Sequence, residues 1–221
     1  MYSMKTLIAT SIVSSALLAS TSIFAADKVE VNITPDMAAV EVLHDGRKVT
    51  ITRNQNQKNT VNHDFAWTSR KCPPFCIQPA VVAPGVETIA ELEVLAYLAQ
   101  INAGDESILV IDSRTPDWVR KGTIPGAVNI PWTALNPARG ADPISIGEIM
   151  VDKFGVKELE GLWDYSDAKT LVMFCNGMWC GQSPNNILNL LKFGYPADKI
   201  KWYRGGMQDW EILGLSTVSG K

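Results

Sequence analysis

The chain is 221 residues long, 46% apolar and 19% charged, with a net charge of −3. That balance is ordinary for a soluble protein and gives no sign of nucleic-acid or membrane-surface binding. Its four cysteines, Cys72, Cys76, Cys175 and Cys180, allow three complete disulfide pairings.

Residues 1–25 read as a leader rather than as part of the fold. Lys5 supplies a positive start, Thr6 to Leu18 is largely apolar, and Ser20 to Ala25 is small and polar. This pattern predicts a secretory signal cleaved after Ala25. The apolar run is too short and too rich in serine to span a bilayer core of about 30 Å. The expected location is therefore periplasmic or secreted, with no stable membrane insertion after cleavage. Removing the leader takes away one lysine and no acid, leaving the chain one unit more negative. Export also implies an oxidising or mixed redox setting, so each cysteine is a candidate for pairing.

Residues 27–85 read as a small β-rich extension. Val29, Val31 and Ile33 alternate with polar residues, and so do Ala39–Leu43 and Lys48–Thr52. Asp45-Gly46 between the last two runs is a strong hairpin signal. Asn54 to Asp64 is polar and reads as a loop, and 65–85 is extended and punctuated by prolines, including Cys72-Pro-Pro-Phe-Cys76. So small a piece needs the larger part of the chain to complete a core. A local Cys72–Cys76 disulfide is one reading of the pair, and a redox partner or acceptor for Cys175 is the other. His44 and His63 lack metal-ligand spacing and read as solvated loop residues.

From residue 86 helical and strand patterns alternate. Thr88-Ile89-Ala90-Glu91 reads as a capping box opening a helix that runs to about Ala103-Gly104. Strands are expected at 107–111, 126–130, 171–174 and 200–203. Apolar strands separated by helices predict an α/β domain over 86–221, with a central parallel sheet flanked by helices. Ligands of such sheets sit beyond the strands' carboxyl ends.

Cys175 falls at such an end. Leu171-Val172-Met173-Phe174 runs into it, Asn176-Gly177 turns, and Ser183-Pro184 reads as the N-cap and first position of a helix. Ile187, Leu188, Leu190 and Leu191 are expected as that helix's buried face, and Gly194 as its end. Unpaired amides at a helix start stabilise a thiolate or an anion. The other reading of Cys175 is a small buried apolar side chain.

With these elements placed, residues 86–218 resemble the rhodanese (sulfurtransferase) family. Four segments carry the resemblance in order: Leu109-Val110-Ile111-Asp112-Ser113-Arg114; Gly122-Thr123-Ile124-Pro125-Gly126-Ala127; the strand, loop and helix around Cys175; and Tyr203-Arg204-Gly205-Gly206-Met207-Gln208-Asp209-Trp210 with Gly214. The resemblance implies Cys175 as the nucleophile, which takes sulfane sulfur from thiosulfate or a persulfide and passes it to a thiophilic acceptor. Its substrate cradle would be Asn176, Gly177, Met178, Trp179, Cys180 and Gly181, with Arg114 near by. Such chemistry calls for no metal or organic cofactor. The expected partners are the small sulfur donor, the acceptor and a periplasmic protein.

Departures from the family pattern keep alternatives open. Thr123 stands where the family has histidine, and no charged side chain lies between Asn176 and Gln182. Gly181 occupies the place of the arginine in the Cys-x5-Arg clamp of phosphatase and arsenate-reductase relatives. Cys180 is either a resolving thiol or a packing residue. Asp112 and Arg114 either serve the site or hold its loops by an ion pair. Arg204 either lends charge or is structural. Met178-Trp179 is either an apolar lip or packing against the extension. A thiol–disulfide redox protein using Cys175 and Cys180 and a non-catalytic interaction module are the two rival functions.

Overall fold

The computed structural model describes residues 30–220. The expected leader lies outside the described residues. The chain begins with the predicted hairpin, β1 (Ala39–His44) against β2 (Arg47–Thr52), joined through Asp45-Gly46. Both turn residues have positive φ (49° and 73°), which matches the right-handed twist of the flanking strands. No strand forms at 30–33, where the expected alternation gives only a bridge between Thr34 and Met37.

The larger part contains β3 (Glu87–Ile89), α1 (Glu91–Asn102), β4 (Ile108–Asp112), α2 (Pro116–Lys121), β5 (Val128–Asn129) and α3 (Pro143–Phe154). It continues with β6 (Lys157–Leu159), β7 (Leu162–Asp164), β8 (Thr170–Phe174), α4 (Gln182–Lys192), β9 (Ile200–Tyr203) and α5 (Gly206–Ile212). Five strands form one sheet in the order β3-β9-β8-β4-β5, and every pairing is parallel. Apolar side chains alternate across it. Val110, Val172, Phe174 and Tyr203 share a core with Val94, Leu95 and Leu98 of α1 and Met207 and Trp210 of α5. Ile111, Leu171, Met173 and Trp202 share the opposite core with α3 and α4. The hairpin joins the first core through Val40, Val42 and Ile51, whose burial contributes about 1.5–3 kcal/mol for each fully covered side chain.

Several local expectations differ from the fold. Thr88 and Ile89 lie in β3, paired with β9, because β-branched residues there fill an open parallel edge. The helix accordingly starts later, with Ala90 as its N-cap and the Glu93 carboxylate accepting from the Ala90 amide. The β6–β7 hairpin went unpredicted, since its short strands have no buried alternation. In α4, Gly181 is the N-cap and Ser183 sits inside the first turn. Leu188 is 43% exposed, while Asn186 and Asn189 are buried on the inner face. The helix ends as expected, with Phe193 as C-cap just before Gly194. His44 ends β1, where its Nδ1 accepts from the Gly126 amide at 3.1 Å instead of standing in a solvated loop.

Candidate active site

All five parallel strands point their carboxyl ends at one rim, and the chain segments that leave them build the site. Cys175 follows β8 directly and is 2% exposed. Two carbonyls of its loop are tied down by the start of α5: Met207 N–H donates to Cys175 O at 2.9 Å and Gln208 N–H to Asn176 O at 3.0 Å. Gly206 makes that approach possible. Its φ is +56°, and a Cβ there would strike the Cys175 carbonyl.

The Cys175 sulfur lies among donors. Ser183 Oγ donates to it at 3.2 Å, and in the thiol form Cys175 Sγ donates to the Cys180 carbonyl at 3.3 Å. No side chain caps α4, which leaves its first amides to the thiols. Burial pushes the Cys175 thiol up. Hydrogen bonds from the Cys180 thiol, the Ser183 hydroxyl, and the Ser183 and Gly177 amides outweigh it and bring the pKa down to about 7. Cys180 moves the other way. Burial, then the hydrogen bond to Cys175 and its charge, hold the Cys180 thiol well above the usual range. The pair is therefore one acidified sulfur and one proton donor, not two equivalent thiols.

Ser183 was expected as a helix cap and instead contacts the sulfur. Trp202 Nε1–H donates to Ser183 Oγ at 3.2 Å. An indole N–H only donates, so the hydroxyl must accept from it and turns its own proton to Cys175. The tryptophan on β9 thus orients the serine on α4.

Arg114 does not face a substrate. It is 1% exposed, and its guanidinium forks onto Asp112 at 2.6–3.1 Å, donates to the Gly122 carbonyl at 2.5 Å and reaches Asn176 Oδ1 at 3.4 Å. Thr123 Oγ1 donates to Asp112 Oδ2 at 2.7 Å, so the residue in the family's histidine position completes this latch. Arg114 acts on the cradle only by positioning Asn176. Arg204 is likewise structural, donating to the carbonyls of Gln78 and Pro79 at 2.9 Å.

A cavity of about 360 Å³ opens beside the loop, lined by Asn176, Trp179, Cys180, Gly181 and Gln182. Cys180 is in its wall, and Cys175 lies behind. Of the expected cradle, Gly177 stands against Gln208, where a Cβ would come within 3.1 Å of that side chain. Met178 does not line the cavity; it is 37% exposed and its carbonyl accepts from the Gln78 amide at 2.8 Å. Met178 thus joins the extension through its backbone, whereas the Trp179 ring both packs against the extension and lines the cavity. The Cys72–Cys76 disulfide is formed, and Pro74 and Phe75 inside it line the same cavity.

Phe75, Trp118, Trp132 and Arg139 are among the cavity residues that the sequence alone did not single out. Trp118, Trp132 and Arg139 follow β4 or β5 on the rim, and that position was the available signal. Arg139, exposed and stacked over Trp132, brings a cation to the cavity lining.

A buried strand-end cysteine, acidified chiefly by the Cys180 thiol and the Ser183 hydroxyl, sits at the rim of a five-stranded parallel sheet in this α/β domain. The rhodanese-like domain family matches residues 95–213, and the chain belongs to that family. Similar solved structures include a human single-domain sulfurtransferase, at 22% identity over 57% of this chain and 95% of that one, TM-score 0.37. Another is thiosulfate sulfurtransferase from Pseudomonas aeruginosa, at 20% identity over 62% of this chain and 21% of that one, TM-score 0.38. The BH2092 protein from Bacillus halodurans shares 18% identity over 56% of this chain and 70% of that one, TM-score 0.38. No curated protein matches the chain.

Proposed function

We propose that this rhodanese-like domain is a sulfurtransferase whose carrier is Cys175. The observation that carries the reading is the Cys175 sulfur at the end of β8, accepting from the Ser183 hydroxyl at 3.2 Å beside the start of α4; the donors around it bring the thiol down to about 7 against the opposing effect of burial. About half of such a thiol is ionised at neutral pH. The thiolate attacks the outer sulfur of a donor R–S–SH. A new S–S bond forms, the old one breaks, and R–S⁻ leaves with its electron pair, giving Cys175–S–SH. An acceptor thiolate then attacks the outer sulfur and releases the Cys175 thiolate. No external oxidant or reductant is needed. The amides and hydroxyl that hold the thiolate also suit the anionic persulfide.

The rival redox reading draws on one observation, the contact between the two free thiols Cys175 and Cys180. The two readings separate cleanly. Given excess sulfane-sulfur donor, Cys175→Ser should lose all transfer to an added thiol, while Cys180→Ser, which keeps a donor beside Cys175, should retain at least part. Full transfer by Cys175→Ser, or its complete loss in Cys180→Ser, would move the carrier role to the other cysteine. Residues 1–25 are read as an export signal, and the Cys72–Cys76 disulfide is in keeping with an oxidising compartment.

A further inference from the structure

The cavity beside the thiols has walls that sulfur transfer alone does not require. Its volume of about 360 Å³ is within the ordinary span of small-molecule sites, about 300–1,000 Å³. Four aromatic side chains line it: Phe75, Trp118, Trp132 and Trp179. Phe75 lies outside the family-matched segment, in the loop closed by Cys72–Cys76. That loop is seated as a wall. Phe75 meets Trp179 edge-on at 5.6 Å, and the Arg70 guanidinium stacks 3.9 Å from the Trp179 ring. The Gln78 amide and Arg204 tie the segment that follows to the rest of the domain.

The charge of the cavity is equally one-sided. Arg139 is the single charged side chain in the lining, 5.0 Å over the Trp132 ring. Among the described residues neither Arg139 nor Arg70 has a carboxylate partner. An aromatic box with one lining cation favours one anionic group on an otherwise apolar body. A small dianion fits less well, because it would shed its hydration against rings with one cation to offset two charges.

We infer that this pocket recognises the carbon-bound thiol of the transfer reaction, as leaving group or as acceptor, and selects one with a ring-sized apolar body and a single carboxylate. Arg139 is the carboxylate's partner, and the disulfide-closed loop carrying Phe75 is a specificity wall. The thiol part of this inference rests on the sulfurtransferase reading. Recognition of ring and carboxylate does not.

The test uses the full chain and two probes, S-methyl-mercaptobenzoate, which cannot react, and its methyl ester. Binding is read from quenching of tryptophan emission. The acid should bind the wild type more tightly than the ester, and Arg139→Gln should weaken the acid about tenfold or more while leaving the ester unchanged. Phe75→Ala should weaken both alike. With mercaptobenzoate and its ester as sulfur acceptors, the ratio of their kcat/KM values should fall by the same factor in Arg139→Gln, a comparison in which their intrinsic reactivities cancel. Equal binding of acid and ester, or an acid affinity indifferent to Arg139→Gln, overturns the proposal. Indifference of both probes to Phe75→Ala overturns the role of the wall. Charge-dependent binding without transfer to any thiol would uphold the pocket and count against the sulfurtransferase reading instead.

Discussion

Ser183→Ala removes one oriented donor from the Cys175 sulfur and leaves the Ser183 backbone amide in place. A hydrogen bond to a charged acceptor contributes about 1.5–3 kcal/mol, and 1.36 kcal/mol is one pKa unit. The Cys175 pKa should therefore rise by about one to two units from its value of about 7. Because the thiolate is the reactive form, alkylation and sulfur loading of the wild type should climb as pH rises through about 7 and level off above it. In the variant the climb should move to higher pH. At neutral pH its loading rate should fall at least about fivefold, the thiolate fraction dropping from about one half to about one tenth or less. The assay is iodoacetamide alkylation against pH, read by mass on the Cys175 peptide so that Cys180 does not contribute. The substitution also leaves the buried Trp202 N–H without its acceptor, so a melting curve should accompany it. Trp202→Phe keeps the hydroxyl but frees its orientation, and should raise the midpoint by less. A Ser183→Ala midpoint still near 7 would refute this account of the acidified thiol.

Asp112→Asn should destabilise the fold by about 3–5 kcal/mol in urea titration, because it leaves Arg114 buried without its counter-charge. Gly206→Ala should abolish sulfur loading, since its Cβ would meet the Cys175 carbonyl at a φ that disfavours side chains; normal loading would show that the α5 junction does not hold the loop. Cys72→Ser with Cys76→Ser should cost about 2 kcal/mol through the released loop entropy and raise protease sensitivity within 27–85, while the alkylation midpoint of Cys175 stays at about 7. If the pair instead accepts sulfur or electrons, that variant would keep its stability and accumulate the Cys175 persulfide.

The sheet was legible because buried parallel strands are largely apolar runs; Leu171–Phe174 is unbroken, and Ile200–Tyr203 is interrupted only by Lys201, so neither needs a distant partner to be read. Glu87–Ile89 was not, because three residues carry no periodicity and only β9 makes them a strand. The same limit shaped the site. Cys175 stood out through its place between a strand and a helix, a local signal. Ser183 has the same local signature as a helix cap, and only Trp202, brought beside it by the β8–β9 pairing, turns its hydroxyl onto sulfur. Arg114 drew attention as a rim cation, yet its exposure depends on Asp112, Gly122 and Asn176 closing around it. Conversely, Phe75 and Arg139 lie far along the chain from Cys175 and meet its cavity only in the folded state.

The most direct measurement is the intact mass and peptide map of the protein after exposure to excess sulfane-sulfur donor and removal of the excess. A gain of one sulfur atom is expected, localised to the Cys175 peptide and lost on adding a thiol acceptor. A loss of two hydrogens with a Cys175–Cys180 crosslink, or no change in mass at all, would contradict it.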